Sequence, residues 1–246
     1  MDAKRRHEGR NGSTPTVLLV HDAFADTSIW AATIAACRPM GTDCVAVANP
    51  LRGLRTDAEY VAAIASLVDG PVVLVGHGYG GAVASVASAW SPNVRGLAFV
   101  AGLVPDLSES CVDILRQRAG SPALLESLCP RRIRLGSGDS TELTIDASRF
   151  ATVVAQDVAP DRAAVLASCQ RPIVAAAFEE PAPAAGWRDL PVWYLATTAN
   201  HFIDIDVQVD LAARAGATTV QTPASHWVAA SRPQAVAELI AAATAR

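Results

Sequence analysis

The stretch Val73-Leu74-Val75-Gly76-His77-Gly78-Tyr79-Gly80-Gly81 limits what this chain can fold into more than any other. Apolar, mostly β-branched residues run into glycines and then into an alanine-rich segment from Ala82, which reads as strand, tight turn, helix. Similar apolar runs lie at Val17 to Val20, Cys44 to Ala48, Leu97 to Val100, Val192 to Ala196 and Thr218 to Thr222, with helical stretches between them. Pro233 to Ala245 closes the chain as an amphipathic helix. This alternation predicts an α/β fold: a doubly wound, mostly parallel six-stranded sheet with helices on both faces. It breaks between Pro105 and Trp187, where proline punctuation, short helical patterns and a hairpin around Gly136, Ser137 and Gly138 predict an inserted cap. The expected organisation is a flexible tail over 1–15, a core over 16–104 and 188–246, and a cap over 105–187.

Composition narrows the function classes. With 246 residues, 51% of them hydrophobic, the chain can bury a sizeable core. A net charge of −4, with the basic residues scattered, leaves no footprint for nucleic acid. Met1 to Ser13 holds Lys4, Arg5 and Arg6 but lacks the apolar run of a secretory signal, and no apolar stretch is long enough to span a bilayer. A cytoplasmic protein without membrane partners is expected. Five cysteines, widely spaced and without a C-x-x-C pair, fit reduced thiols rather than a zinc site or disulfides. Neither metal nor cofactor is expected, and the oligomeric state is left open, a homodimer included.

The glycine turn admits two kinds of chemistry. Gly76, Gly78 and Gly81 match the spacing of a dinucleotide fingerprint, but two strands precede this one and Trp90 to Gly96 supplies no acid, so the fingerprint context is missing. In the other reading, Gly76 and Gly80 flank a nucleophile elbow of the G-x-S-x-G type, whose middle residue sits at a helix N-terminus beside backbone donors. Here the middle residue is Gly78.

The motifs Leu18-Leu19-Val20-His21 with Phe24 and Trp30, Asn49-Pro50-Leu51-Arg52-Gly53-Leu54, the elbow, and Ala224-Ser225-His226 together resemble the small α/β-hydrolases. That group includes plant methyl esterases, hydroxynitrile lyases and bacterial relatives, and the resemblance runs over nearly everything after Thr16. It implies a triad whose nucleophile position is Gly78, whose acid position is Asn200 and whose histidine is His226. Two of the three members are therefore absent. Asp106, Asp204 and Asp206 are alternative acids. A further departure is His21-Asp22 after the first strand, where most relatives read histidine then glycine. Loss of a triad nucleophile costs on the order of a million-fold in turnover, which removes the acyl-enzyme route.

What remains is His226, the Asp22 carboxylate and an oxyanion site made by backbone N–H groups of Tyr79 and of Ala23 or Phe24. The space above Gly78 is expected to admit water or substrate. This set suits proton transfer: a cofactor-free, non-hydrolytic enzyme that enolises a small, partly apolar carbonyl metabolite, ending in elimination, isomerisation or cyclisation. Trp30, His77, His201 and Trp227 are expected around the pocket, with His21 and His77 supporting turns through backbone bonds. The rival readings are a pseudo-hydrolase that binds a small ligand and a hydrolase that activates water directly. A buried carboxylate opposite a histidine favours the enzyme. Asp26 is the better candidate than Asp22 for capping the helix near Ser28.

Overall fold

The computed structural model describes residues 14–117, 126–135 and 138–245. The tail expected over 1–15 lies almost wholly outside them, as do Gly136 and Ser137 of the expected hairpin. The main sheet has six strands, β1 (Thr16–Val20), β2 (Cys44–Val47), β3 (Val72–His77), β4 (Val94–Val100), β8 (Val192–Thr197) and β9 (Thr218–Thr222). They lie in the order β2-β1-β3-β4-β8-β9, all parallel. Every residue of β3 and β8 is buried, as strands covered by helices on both faces require, with Val and Leu supplying the apolar surface in β3 and Val, Trp, Tyr and Leu in β8. Helices α2 (Leu54–Ser66) and α3 (Tyr79–Ser88) pack together, and the closing helix α10 (Pro233–Thr244) packs against β4 and β8.

The strand order fixes where a site can form. From β1 the chain moves outward to β2, then returns past β1 to β3 and continues the other way, so the direction of winding reverses between β1 and β3. The crevice beyond the carboxyl ends of such a pair is where open parallel sheets bind ligands. The parallel register pairs Leu18 with Leu74 and Val20 with Gly76. Two residues on, the same register sets Asp22 across from Gly78.

Between the fourth and fifth strands of the main sheet the chain builds a second, antiparallel sheet of β5 (Leu128–Leu135), β6 (Gly138–Ile145) and β7 (Ile173–Val174). Helices α5 (Ala147–Val154), α6 (Pro160–Ser168) and α7 (Ala176–Glu179) belong to the same stretch. Val174 N–H donates to the Leu51 carbonyl at 3.0 Å, and Trp227 N–H to the Val154 carbonyl at 2.9 Å, tying this layer to two loops at the sheet's carboxyl edge. Arg52 pairs with Glu142 across the same boundary. Among the described residues, no helix is long and apolar enough to cross a membrane.

Candidate active site

The turn after β3 is set by close approach. A Cβ on Gly80 would lie 2.4 Å from the Val20 carbonyl oxygen and 2.6 Å from that of His21, so only glycine lets the start of α3 seat directly on the end of β1. That contact delivers the first N–H of the helix, from Tyr79, to the loop that follows β1. Gly78 has φ 51° and ψ −121°, a left-handed conformation that a side chain strains.

Asp22 fills the space above Gly78. A Cβ built on Gly78 would lie 2.0 Å from Asp22 Oδ1, 2.2 Å from Cγ and 2.5 Å from Oδ2. The opening expected there for water or substrate is thus taken by a carboxylate that is itself only 1% exposed. Its Oδ1 accepts from Tyr79 N–H at 2.5 Å, and its Oδ2 lies 2.7 Å from His226 Nε2. The Tyr79 N–H expected to serve an incoming oxyanion therefore already holds a resident one. Burial alone would raise the Asp22 carboxyl, but the hydrogen bonds it accepts from His226 and from Tyr79 N–H help to outweigh it and hold Asp22 below the usual carboxylate range. An ionised carboxylate only accepts, so His226 Nε2–H donates.

His226 reaches this position on the loop after β9. On its far side, Nδ1 lies 3.0 Å from Asn200 Nδ2, in the loop after β8, so Asn200 is the residue at the acid position. Two of the alternative acids are engaged elsewhere, Asp106 pairing with Arg188 at 2.5 Å and Asp204 capping the helix α8 (Ile205–Arg214) by accepting from Asp206 N–H, and the third, Asp206, lies exposed in the first turn of that helix. Asp26 caps the short 3-10 turn Thr27–Trp30 by accepting from Ser28 N–H at 2.7 Å, which leaves Asp22 free of that duty.

The other histidines divide as their hydrogen bonds dictate. His21 Nε2 accepts from Asn49 N–H at 3.0 Å, so its Nδ1–H donates to the Asp22 carbonyl at 2.8 Å and steadies that turn. His77 Nε2 lies 2.8 Å from the His226 carbonyl and donates to it, and its ring packs 4.9 Å from that of His226. His201 is exposed and donates from Nδ1 to the Thr152 carbonyl at 3.2 Å, on the rim rather than in the site. Trp30 is fully buried, its ring edge-on to His77 at 6.0 Å.

Phe24, Phe178 and Phe202 form an aromatic cluster that reaches the pair through Phe202. Phe202 stacks on His226 at 4.5 Å and 18°, and Phe24 contacts Phe202 at 6.3 Å and Phe178 at 6.4 Å. Phe24 adopts φ 62°, unusual for an aromatic residue, which aims its ring into this cluster. A small, shallow surface cleft lies beside these rings, lined by Phe24, Ile29, Leu166, Cys169 and Trp227 among others. It ends against the sequence neighbours of Asp22 and His226 without including either. Sequence reasoning missed Phe178, Phe202, Thr197 and Gln208. Phe202 carried a signal, standing two residues after Asn200; the other three carried none that separates them from core residues.

Asp22, His77 and His226 each place one candidate ligand atom within 4.8 Å of the others. However, both ring nitrogens of His226 are engaged, Nε2 with Asp22 and Nδ1 with Asn200, so a metal held by this set would have to break one of the bonds that fix His226.

Burial of His77 has a measurable consequence. Desolvation lowers it from 6.5 to about 4, against the opposing field of Asp22. The unfolded chain takes up this proton near pH 6.5 while the folded one refuses it until about pH 4, so stability falls as pH drops through that window, by about 3 kcal/mol. Burial lowers His21 as well, with the same sign. Denaturant unfolding at pH 7 and pH 4.5 should show the loss, and His77→Gln, which keeps a donor for the His226 carbonyl, should remove most of the His77 share. An unchanged pH dependence in that variant would refute the assignment.

A model of the alpha/beta hydrolase family matches residues 17–239. The chain belongs to this family. It is 28% identical over 250 residues to "Probable hydrolase R7" from Phoma sp., covering 92% of this chain and 97% of that one. Polyneuridine aldehyde esterase has the same fold, with a TM-score of 0.80 at 16% identity over 93% of this chain and 98% of that one. So has tomato methylketone synthase I, solved with 2-tridecanone, with a TM-score of 0.75 at 17% identity over 94% and 97%. A variant of that synthase has been solved with β-ketoheptanoate. Family membership accounts for the six-stranded sheet and the turn at Gly78, while Asp22 and Asn200 are read from this chain alone.

Proposed function

We propose that this alpha/beta hydrolase family member is a cofactor-free, non-hydrolytic enzyme that moves a proton at a carbon next to a carbonyl. Its outcome is elimination, isomerisation or cyclisation of a small, partly apolar metabolite. The observation that carries the reading is the Asp22–His226 pair, at 2.7 Å, directly over Gly78. Where the resemblance expects a serine hydroxyl, the chain places a carboxylate and an imidazole, groups that exchange protons. The backbone donor beside them suits an enolate as well as it suits a tetrahedral intermediate. A buried carboxylate opposite a histidine costs desolvation energy and calls for an explanation, which proton transfer supplies. The fold it shares with a methylketone synthase that has been solved with a β-keto acid makes 1,3-dicarbonyl compounds the first class to assay.

Wild type and His226→Ala, incubated in parallel with a metabolite extract and with a short series of β-keto acids, separate the readings by mass spectrometry. Conversion by wild type alone, to a product that has not gained water, is the expected result. A hydrolysed product would instead support direct water activation, in line with the name of the Phoma relative. A compound retained unchanged by the folded protein would support a ligand-binding role.

A further inference from the structure

The hydrogen bonds around Asn200 run in one direction, and backbone groups fix that direction. Asn200 Oδ1 accepts from Phe202 N–H at 2.8 Å and from Ile203 N–H at 2.9 Å. Turning the amide over would set its NH₂ against two donors, so Nδ2 is the atom that faces Thr197 Oγ1 and His226 Nδ1. Gln208 gives the same answer independently. Its Oε1 accepts from Thr197 N–H at 3.0 Å, while its Nε2 donates to the carbonyls of Thr197 and Ile203 at 3.1 and 2.7 Å. The Thr197 hydroxyl therefore points its proton at Gln208 Oε1 and offers its oxygen to Asn200 Nδ2 at 2.9 Å. Asn200 Nδ2 donates onward to His226 Nδ1, which must carry a lone pair. Asp22, ionised, accepts from Nε2–H on the other side.

We propose that Asn200 is a positioning residue that holds His226 as the neutral Nε2–H tautomer, which makes Asp22 the base and His226 a fixed neutral donor. A serine triad runs the other way: its acid accepts from Nδ1–H and Nε2 offers a lone pair to the hydroxyl. With the polarity reversed, His226 has no lone pair toward the site. A proton on Nδ1 would force Asn200 off both of its backbone donors, the Phe202 and Ile203 N–H groups, and leave them buried without an acceptor. The catalytic consequence rests on the function proposed above. Asp22 takes the proton from the carbon, the C–H electron pair passes into the enolate, and Asp22 becomes neutral. Tyr79 N–H and His226 Nε2–H, no longer holding a charge on Asp22, turn to the enolate oxygen, a neutral imidazole serving as electrophile. Returning the proton to a different carbon completes an isomerisation. Giving it to a leaving group that departs with its bonding pair completes an elimination.

The test is histidine-selective ¹⁵N NMR on the full chain at neutral pH, with the His226 signals assigned by their loss in His226→Gln. Wild type is expected to show an unprotonated, pyridine-type Nδ1 and a protonated, pyrrole-type Nε2. Asn200→Asp, which keeps the acceptors for Phe202 and Ile203 but offers His226 a carboxylate, is expected to convert Nδ1 to pyrrole type. It should also lower turnover about a hundred-fold, within the usual range for one acid–base contribution. A protonated Nδ1 in wild type overturns the proposal without need of any variant, and so does a pyridine-type Nδ1 that persists in Asn200→Asp. The spectra read the tautomer whether or not a substrate is found, so a failure of the enzymatic reading leaves a distinct result.

Discussion

Gly78→Ser alone is expected to destabilise the protein by about 3–5 kcal/mol and to yield no esterase. The new Cβ would fall 2.0 Å from Asp22 Oδ1, so the carboxylate must leave the Tyr79 N–H and His226, and a buried ion torn from its partners carries a cost of that size. For a chain of this length the loss corresponds to a fall in Tm of about 10 °C. The triple variant Asp22→Gly, Gly78→Ser, Asn200→Asp behaves differently: it clears the space, frees the Tyr79 N–H and turns the His226 proton to Nδ1. On a p-nitrophenyl ester the triple variant should exceed wild type by about a thousand-fold, a partial return of the million-fold that a triad nucleophile supplies. Thermal unfolding and ester assays decide the matter. Equal stability and equal esterase in the single and triple variants would show that Asp22 does not occupy the nucleophile's place.

Asp22→Asn should reduce turnover of whichever compound the extract or β-keto acid assay shows wild type to convert by about 10²- to 10⁴-fold, because it removes the proposed base while keeping its shape. The same substitution should cost about 1–3 kcal/mol of stability. Either orientation of the new amide sets its NH₂ against a donor, Tyr79 N–H on one side or His226 Nε2–H on the other. The sign of the pH effect follows from the lowered Asp22 carboxyl. Its stabilising contribution is fully present above the unfolded value, near 3.9, and is lost as pH falls through the lower folded value. Acid loss of stability between pH 6.5 and 4 therefore belongs to the buried histidines, and the Asp22 contribution is lost only below it. Turnover that survives in a folded Asp22→Asn would remove Asp22 from the mechanism.

Much of the fold was legible because β-branched runs and alanine-rich stretches alternate so regularly. All six expected strands form, with ends shifted by a residue or a few, most at the start of β4. The convergence of Asp22 and His226 on the Gly78 turn was legible through the resemblance. Their contact was not, because it depends on register: Val20 pairs with Gly76, and only that pairing carries Asp22 onto Gly78. The emptiness expected above Gly78 failed for the same reason, since a residue without a side chain leaves room that a neighbouring strand end can fill. Thr197 and Gln208 could not have been singled out, because a threonine ending a strand and a glutamine within a helix are ordinary until their partners are known.

Phe202, stacked on His226, and its ring partners Phe24 and Phe178 come from three separate segments, the loop after β8, the loop after β1, and α7. Asp22 is only 1% exposed, so a ligand cannot touch the carboxylate until its cover parts, and only the fraction of molecules already open can accept it. Apparent affinity is then weaker than intrinsic affinity by that fraction. At saturating ligand the rate of capture levels off at the rate of that opening, so the pace of encounter is set by the protein's own breathing rather than by diffusion.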